Sequence, residues 1–540
     1  MSVSYDYAKY FPFSEIRAEQ KRAIDFVLEQ FLGKNERRII LELGTGVGKS
    51  AVAVTVARYM NSLNASGAYF LTTQKLLQDQ YTDDFACLGL RSIRSSTNYG
   101  CTYHTDQTCA ESRRVLKQLK EDLEGTEYAE HCTHNCNYML EKRAFVSSAM
   151  GVTNFPYFLA ETMYAHAFKQ RNLLIVDEAH SSDDNIRRFI EVSVSSKFAR
   201  DVLGCKPPPV SADQERVFTW LSGEYRTYLK RYAENLVKVI KANSTLECTC
   251  TSGLTSFACK EIKQYEAMDK HLCKMNRFVN EYDPDNWVMN VEQKPRTYSF
   301  EFKPVDVAPY GEERLFSFGE YALLMSATIT NKDVFCRSVG LPPSTPFLSI
   351  PSPFLPENRR VHFLPVGSMS RKHIDATLPK LAETVTMLLE QHSSEKGLIH
   401  AQSYKVAHYL FENVKSDRLL IHTSENRDAV LRNHITCNKP SVLISPSMTE
   451  GINLADDSGR FQIVCKVPFP YLGDKLVTKK MKADPEWYAF QTARTVTQAL
   501  GRSVRSIDDH ATSYILDLDW ERFYKKNSHM FSDDFSATLA

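Results

Sequence analysis

The chain has 540 residues, 43% of them hydrophobic and 24% charged, which is enough for two to four domains and excludes a small binding module. Its 66 lysines and arginines nearly balance 65 aspartates and glutamates; the net charge of +1 excludes a uniformly basic coat, so any nucleic-acid path must be a local groove. Neither a signal-peptide pattern nor a run of about 18 apolar residues occurs, so we expect no membrane contact and an intracellular location, in the cytoplasm or nucleoid, or the host cytoplasm for a viral protein.

Short apolar runs rich in β-forming residues alternate with helical patterns along the chain. They lie at 38–43, 68–73, 172–178, 322–327, 397–402, 441–446 and 514–519. Because buried parallel strands read as continuous apolar runs, the pattern predicts an α/β fold. The runs form an early group ending near 330 and a late group beginning near 360, which predicts two sheets. Prolines are too dense in 343–360 for a helix or a central strand, so we place the interdomain connection there.

A glycine-rich loop, 43-LGTGVGKS-50, follows the first predicted strand and precedes a helix-like run. In that context glycines let the backbone approach phosphates, and amides at the helix N-terminus supply donors. Lys49 would reach the β- and γ-phosphates of ATP, and Ser50 would hold magnesium. An ordinary strand-to-helix turn is the alternative, and Leu43 departs from the usual Gly or Ala. The predicted nucleotide-binding residues are Gly44, Thr45, Gly46, Val47, Gly48, Lys49 and Ser50.

The stretch 87–150 is rich in Cys, His and Tyr and lacks a strand pattern. Its cysteines follow the spacing Cys-x7-Cys-x22-Cys-x3-Cys, and they are Cys101, Cys109, Cys132 and Cys136. Four thiolates can close one metal site; zinc usually takes closely spaced pairs, whereas a 4Fe-4S cluster accepts irregular spacing. Zinc stays open as the rival because imidazole is a good zinc ligand, and His104, His131 and His134 lie nearby. Four structural thiols are the plainest alternative.

The run 173-LLIVDEAH-180 brings two adjacent carboxylates to the end of a buried strand. That placement suits a metal site. Asp177 would coordinate magnesium together with Ser50, and Glu178 would orient the attacking water for phosphoryl transfer. The following stretch, 183–300, is charged and mostly helical in period, which predicts a second insertion.

Near the C-terminus, 498-QALGRSVRS-506 carries two arginines three residues apart. On a helix they would share one face. An arginine that reaches the γ-phosphate in the transition state is worth about 10³ to 10⁵ in turnover. Arg502 and Arg505 are therefore the predicted catalytic arginines, with a basic helix face as the alternative.

These motifs occur in the order of the superfamily 2 helicase motifs, and the series resembles the DinG/XPD type. The matching segments are 17-RAEQ-20, 43–50, 71-LTTQKLLQDQY-81, 177-DEAH-180, 326-SAT-328, 449-TEGINL-454 and 498-QALGRSVR-505. The resemblance implies two RecA-like helicase motor domains, the first with an iron–sulfur insertion and a mainly helical arch insertion. The implied division is 1–86, 151–182 and 301–342 for the first motor, 87–150 for the cluster domain, 183–300 for the arch, and 343–540 for the second motor.

The resemblance also implies roles for single residues. Gln20 would contact adenine, Ser326 and Thr328 would couple hydrolysis to movement, and Glu450 with Gly451 would sense nucleotide and strand. The family often has Asp at the position of Asn453, which puts the coupling role of that position in doubt. The four cysteines would hold a 4Fe-4S cluster.

The implied activity is ATP- and magnesium-dependent 5′→3′ translocation on single-stranded DNA and unwinding of DNA forks, with DNA favoured over RNA and a motor able to work as a monomer. One alternative is a nucleic-acid-stimulated ATPase that clamps or remodels complexes without unwinding. Another is a zinc-bearing scaffold with a vestigial ATP site, against which the intact Lys49, Asp177, Glu178 and Arg505 argue.

Overall fold

The computed structural model describes residues 5–103, 108–118, 124–243, 257–423, 425–446, 456–501, 504, 506 and 508–540. Within these ranges no helix is long and apolar enough to cross a membrane. The strands there are β1 Arg38–Leu43, β2 Ala68–Thr72, β3 Leu90–Ser92, β4 Met150–Asn154, β5 Arg171–Asp177, β6 Val192–Ser195, β7 Trp287–Lys294, β8 Thr297–Pro304, β9 Gly319–Ser326, β10 Phe347–Ile350, β11 Val361–Gly367, β12 Gly397–His400, β13 Leu419–Ile421, β14 Val442–Ser445, β15 Phe461–Val464 and β16 Thr512–Asp517.

The α-helices of the same ranges lie between and around these strands. They are α1 Ala18–Leu28, α2 Lys49–Leu63, α3 Lys75–Phe85, α4 Cys109–Gln118, α5 Glu127–Glu130, α6 Asn137–Ser147, α7 Phe155–Met163, α8 Ser182–Ile190, α9 Ser196–Asp201, α10 Gln214–Trp220, α11 Arg226–Asn243, α12 Phe257–Glu281, α13 Gly311–Arg314, α14 Lys332–Val339, α15 Ile374–Gln391, α16 Tyr404–Asn413, α17 Arg427–Thr436, α18 Lys475–Ala483, α19 Pro485–Leu500, α20 Asp519–Asn527 and α21 Asp533–Ser536.

Two parallel sheets form the two halves of the chain, which confirms the predicted α/β class. The first has the order β10-β1-β9-β5-β2-β4-β3, and the second has the order β11-β16-β15-β12-β14-β13. Helices α1 to α3 cover one face of the first sheet, and α7, α8 and α14 contribute to the apolar core on the other. Both faces of the central strands are therefore dry, which is why β2 and β5 read as continuous apolar runs.

The first sheet extends beyond the predicted boundaries. β10 pairs with β1 through Ile40 and Phe347, so the predicted start of the second motor domain at 343 is wrong, and the connection follows Ile350. The prolines nearby are tolerated because β10 is an edge strand. β3 and β4 also belong to this sheet, so the insertion that carries the cysteines lies between Ser92 and Met150 and the predicted absence of strands in 87–150 is wrong.

The second insertion is not only helical. It holds the packed helices α11 and α12, but it also contains an antiparallel sheet of order β6-β8-β7, whose hairpin β7–β8 ends at Pro304, beyond the predicted limit of 300. Phe300 and Phe302 point into the core, and alternate with the partly exposed Glu301. A helical period alone therefore misdescribes this region.

Buried ion pairs join α8 of the first half to α18 and α19 of the second. The Asp183 side chain is 2% exposed, and its carboxylate oxygens lie 3.6 Å from Arg187 Nη2, 3.8 Å from Lys480 Nζ and 4.0 Å from Arg494 Nη1. Asp184 adds a second carboxylate, 2.5 Å from Arg187 Nη1. Three buried cations thus surround two carboxylates, and burial lowers the pKa of Lys480 to about 8.

Replacing Asp183 with Ala is expected to lower the free energy of unfolding by about 3 to 5 kcal/mol, because three buried cations then share one carboxylate. Urea unfolding followed by tryptophan fluorescence measures the change. The control is Asp201→Ala, which removes the exposed pair with Arg200 and is expected to cost less than about 1 kcal/mol. Equal losses in the two variants would contradict the role given to the buried cluster.

Candidate nucleotide site and cysteine group

The predicted phosphate loop lies between β1 and α2, at the carboxyl end of the first sheet. Helix α2 begins at Lys49, and its N-cap, Gly48, has a φ of 89°; Gly46 has a φ of 90°. Residues other than glycine rarely adopt these backbone angles, so the two glycines determine the shape of the loop. A turn of this shape at a helix N-terminus is suited to binding an anion through backbone amides, and phosphate binding by these residues stays a prediction.

Two side chains of the N-terminal segment hold the loop from outside. Arg17 donates to the carbonyl oxygens of Gly46 at 2.9 Å and Val47 at 2.8 Å, and the Gln20 amide donates to Val47 at 3.0 Å. The Gln20 side chain also accepts from the Arg17 amide at 3.0 Å. Gln20 thus lies against the loop as its motif implies, while its contact with adenine stays a prediction.

The carboxylates of the DEAH segment follow β5 directly. Tyr81 donates to Asp177 at 2.9 Å, and burial together with the neighbouring Glu178 raises the pKa of Asp177 to about 6, against the opposing effect of Lys49. A cation beside this carboxylate would favour its ionised form. Glu178 has a φ of 54°, which is uncommon for a residue other than glycine, and it lines the cavity described below.

His180 connects the DEAH segment to both halves of the chain. Its Nδ1 lies 2.7 Å from Ser326 Oγ and 3.2 Å from Glu178 Oε2, and its Nε2 lies 2.6 Å from the Gln498 amide nitrogen. Arg494, on the same helix as Gln498, donates to the His180 carbonyl oxygen. Helix α19 of the second half therefore touches the segment that carries both carboxylates.

A cavity of about 540 Å³ opens between the two halves at this place. Its lining includes Lys49 and Glu178 from the first half and Gln498, Gly501 and Val504 from the second. Helix α19 ends at Leu500, before the two predicted arginines. Arg502 and Arg505 lie outside the described residues, as do Glu450, Gly451 and Asn453 of the segment 449–454.

The four cysteines predicted as metal ligands are all buried. Cys109 Sγ lies 3.7 Å from Cys136 Sγ, and burial, with the nearby Cys136 and Cys101 thiols, raises the pKa of Cys109. Burial likewise raises the pKa of Cys132, with smaller contributions from Cys101 and Cys136. The thiols are thus close enough to influence one another. In the described ranges no group of three or more His, Cys, Asp or Glu side chains is arranged to hold a metal ion.

The imidazoles near the cysteines have other partners. His131 Nε2 lies 2.8 Å from Thr102 Oγ1, and His134 Nδ1 lies 3.1 Å from the Arg143 guanidinium. His104 is outside the described residues.

Side chains of α6 and α4 attach the cysteine region, residues 93–149, to the first domain and to the second insertion. Tyr138 on α6 bonds to Tyr157 on α7 at 2.7 Å, and Lys142 pairs with Glu161 at 2.6 Å. On the opposite side, Arg114 of α4 pairs with Glu266 of the helical insertion at 2.7 Å. The region therefore lies between the first sheet and the second insertion and contacts both.

Sequence reasoning missed several residues at the site. Tyr81 and Arg494 carry no chemical signature of their own, although Arg494 lies four residues before Gln498 and so shares its helix face. Phe354, which lines the cavity, lies in the proline-rich stretch that was interpreted only as a connection. No pattern in the sequence singles it out.

Two family models match the chain. Residues 13–202 match the model described as type III restriction enzyme, res subunit, and residues 386–537 match the helicase C-terminal domain. The first match covers the phosphate loop and the DEAH segment, and the second covers α19 and the arginine segment, residues 498–506.

Curated relatives match over short segments. The regulator of telomere elongation helicase 1 homolog of Aedes aegypti is 34% identical over 83 residues, 13% of this chain and 8% of that protein. ATP-dependent DNA helicase chl1 of Schizosaccharomyces pombe is 32% identical over 95 residues, 15% of this chain and 11% of that protein. The chain thus spans about a tenth of the length of these relatives.

Solved structures match over nearly the whole chain. An XPD helicase superposes with a TM-score of 0.61 at 14% identity, covering 98% of this chain and 100% of that one. Xpd4 of S. tokodaii superposes with a TM-score of 0.56 at 13% identity, covering 97% and 100%. These likenesses confirm the predicted fold of two RecA-like domains.

Proposed function

We propose that this chain, which belongs to the superfamily 2 helicases of the DinG/XPD type, is an ATP-dependent DNA helicase that moves 5′→3′ along single-stranded DNA and unwinds duplexes. The observation that carries the proposal is the cavity between the two RecA-like domains, which Lys49 and Glu178 line from one domain and Gln498 from the other. A site divided in this way links nucleotide state to the distance between domains.

ATP and magnesium fit the residues at this site. The loop from Gly44 to Ser50 would hold the phosphates, and Ser50 and Asp177 would hold magnesium. Glu178 would orient the attacking water. His180 contacts Ser326 and Gln498, so it would report the state of the site to both domains.

Unwinding requires the free energy of ATP hydrolysis. A DNA base-pair step costs about 1.4 kcal/mol on average, so one step opens thermally but a long run does not. Closing of the two domains on ATP and reopening after hydrolysis would advance the strand. The cysteine region, fixed by Tyr138 and Lys142 to the first domain, is our candidate for the wedge that separates the strands.

The donor set of the cysteine region fits a 4Fe-4S cluster held by Cys101, Cys109, Cys132 and Cys136. A single zinc ion would need its four sulfur atoms within about 4 Å of one another. Cys109 Sγ and Cys136 Sγ meet that distance, at 3.7 Å, so zinc stays the rival at this site. A cluster binds each thiolate at a different iron and so accommodates sulfur atoms that lie farther apart. Its positive irons would offset the cost of burying thiolates and would cross-link a small region with little apolar core.

The test is strand displacement by anaerobically purified protein with ATP and magnesium, on duplexes with either a 5′ or a 3′ single-stranded tail. Unwinding of the 5′-tailed substrate alone is the expected result, and Lys49→Ala is the inactive control. A preference for 3′ tails would overturn the polarity. DNA-stimulated ATP hydrolysis without displacement on either tail would favour a clamp or remodeller instead.

A further inference from the structure

The segment that connects the two domains, residues 351–359, lies directly on the phosphate loop. The Gly44 amide donates to the Ile350 carbonyl oxygen at 2.9 Å, and Ser352 Oγ donates to the Thr45 carbonyl oxygen at 2.7 Å. A β-carbon built on Gly44 would lie 2.3 Å from the Ser352 backbone nitrogen. The connecting segment and the loop are thus in contact backbone to backbone, with no room for a side chain between them.

The Phe354 ring continues this contact. A β-carbon built on Gly46 would lie 2.2 Å from Phe354 Cζ, so the ring edge packs on the bare glycine. Phe354 is 4% exposed, and it also packs with Val504 and Ala511 of the second domain. In the sequence Val504 lies between the two predicted catalytic arginines. One buried ring therefore touches both the phosphate loop and Val504 of the second domain.

Polar bonds hold the ring in place from the second domain. Arg359 donates to the Phe354 carbonyl oxygen at 3.1 Å and pairs with Asp534 on α21 at 2.6 Å and 3.0 Å. The connecting segment is thus tied to the loop at Ser352 and to the second domain at Arg359. Because closely packed interiors rearrange between discrete arrangements and do not deform continuously, a shift of Val504 must move the ring or break its packing.

We propose that Phe354 is a positioning residue that couples the phosphate loop to the arginine segment, and so sets the rate of ATP hydrolysis and not the affinity for ATP. The inference rests on the proposed function. The ring offers no hydrogen bond to phosphate, and its packing joins residues whose separation depends on how the domains close. An interaction that is completed only in the closed, reacting arrangement raises kcat and leaves KM largely unchanged.

The experiment compares steady-state ATP hydrolysis by the full chain and by Phe354→Ala, across ATP concentrations, with and without a single-stranded oligodeoxynucleotide. We expect kcat with DNA to fall about 10-fold, because substitutions along a coupling path change the coupling by about 2- to 30-fold. The KM for ATP should change by less than about threefold. Phe354→Leu, which keeps an apolar side chain of similar reach, should recover most of the rate.

Leu355→Ala is the matched control, because its side chain is 58% exposed and adjacent in sequence, and it should hydrolyse ATP normally. Val504→Ala removes the packing partner from the other domain and should reproduce the loss in kcat. It also carries the test if Phe354→Ala does not fold, which the thermal unfolding midpoint will reveal.

Three results would overturn the inference: a raised KM with unchanged kcat, which would make the ring a nucleotide contact; unchanged kinetics in Phe354→Ala; or normal kinetics in Val504→Ala. Failure of the proposed function is distinguishable, because it shows in the unsubstituted chain, either as no ATP hydrolysis or as hydrolysis without strand displacement. Hydrolysis that depends on Lys49 but not on Phe354 would overturn this inference alone.

Discussion

Glu178→Gln is expected to lower kcat for DNA-stimulated ATP hydrolysis by about 10²- to 10⁴-fold, the range typical of a lost catalytic base. The amide keeps the size of the side chain but cannot accept the proton of the attacking water. Glu178 lines the cavity with Lys49, and its Oε2 lies 3.2 Å from His180 Nδ1. Affinity for ATP should be retained, because the phosphate loop and Lys49 are unchanged.

Single-turnover hydrolysis and binding of a fluorescent ATP analogue separate the two effects. Glu215→Gln, on the exposed side of α10, is a control with the same chemical change. A normal rate in Glu178→Gln would remove Glu178 from the chemistry, and a parallel loss of affinity would give it a role in nucleotide binding. A Glu178→Gln protein that binds ATP without hydrolysing it should also fail to displace a strand.

The sequence predicted those parts of the fold whose burial leaves a simple pattern. Strands buried on both faces, such as β1, β5 and β9, read as apolar runs and were found at the predicted places. β3 has three residues and β10 is an edge strand, so neither carries a long apolar run, and both were missed. The alternation of apolar and polar residues through β8 is present in the sequence, but it lies within a charged, largely helical stretch and was not recognised as a strand.

The candidate site divides in the same way. The phosphate loop and the two carboxylates are local in sequence, and each chemical role follows from residue type and the strand before it. Arg494 and Phe354 contact residues that are distant in the sequence, His180 and Gly46, which only the folded chain brings together. Such contacts depend on how the two domains meet, and the spacing of apolar residues in the sequence gives no information about that. Arg502 and Arg505 remain predictions because they lie outside the described residues.

Cys136→Ser is expected to abolish strand displacement while sparing ATP binding. Cys136 precedes α6, which carries Tyr138 and Lys142 to the first domain, so loss of this ligand would loosen the proposed wedge where it joins the motor. The side chains that hold the phosphate loop, Arg17 and Gln20 among them, all lie outside the cysteine region, so the nucleotide site should persist.

Metal content makes the outcome of this substitution interpretable. Iron and acid-labile sulfide should be present in the unsubstituted protein and fall in Cys136→Ser, whereas Cys87→Ser, at an exposed cysteine outside the set, should keep both metal and unwinding. Zinc in place of iron would overturn the cluster assignment and leave the wedge open to test. Normal unwinding by a Cys136→Ser protein that has lost its iron would contradict the proposed wedge, because the strands would then separate without the metal centre that we expect to hold this region together.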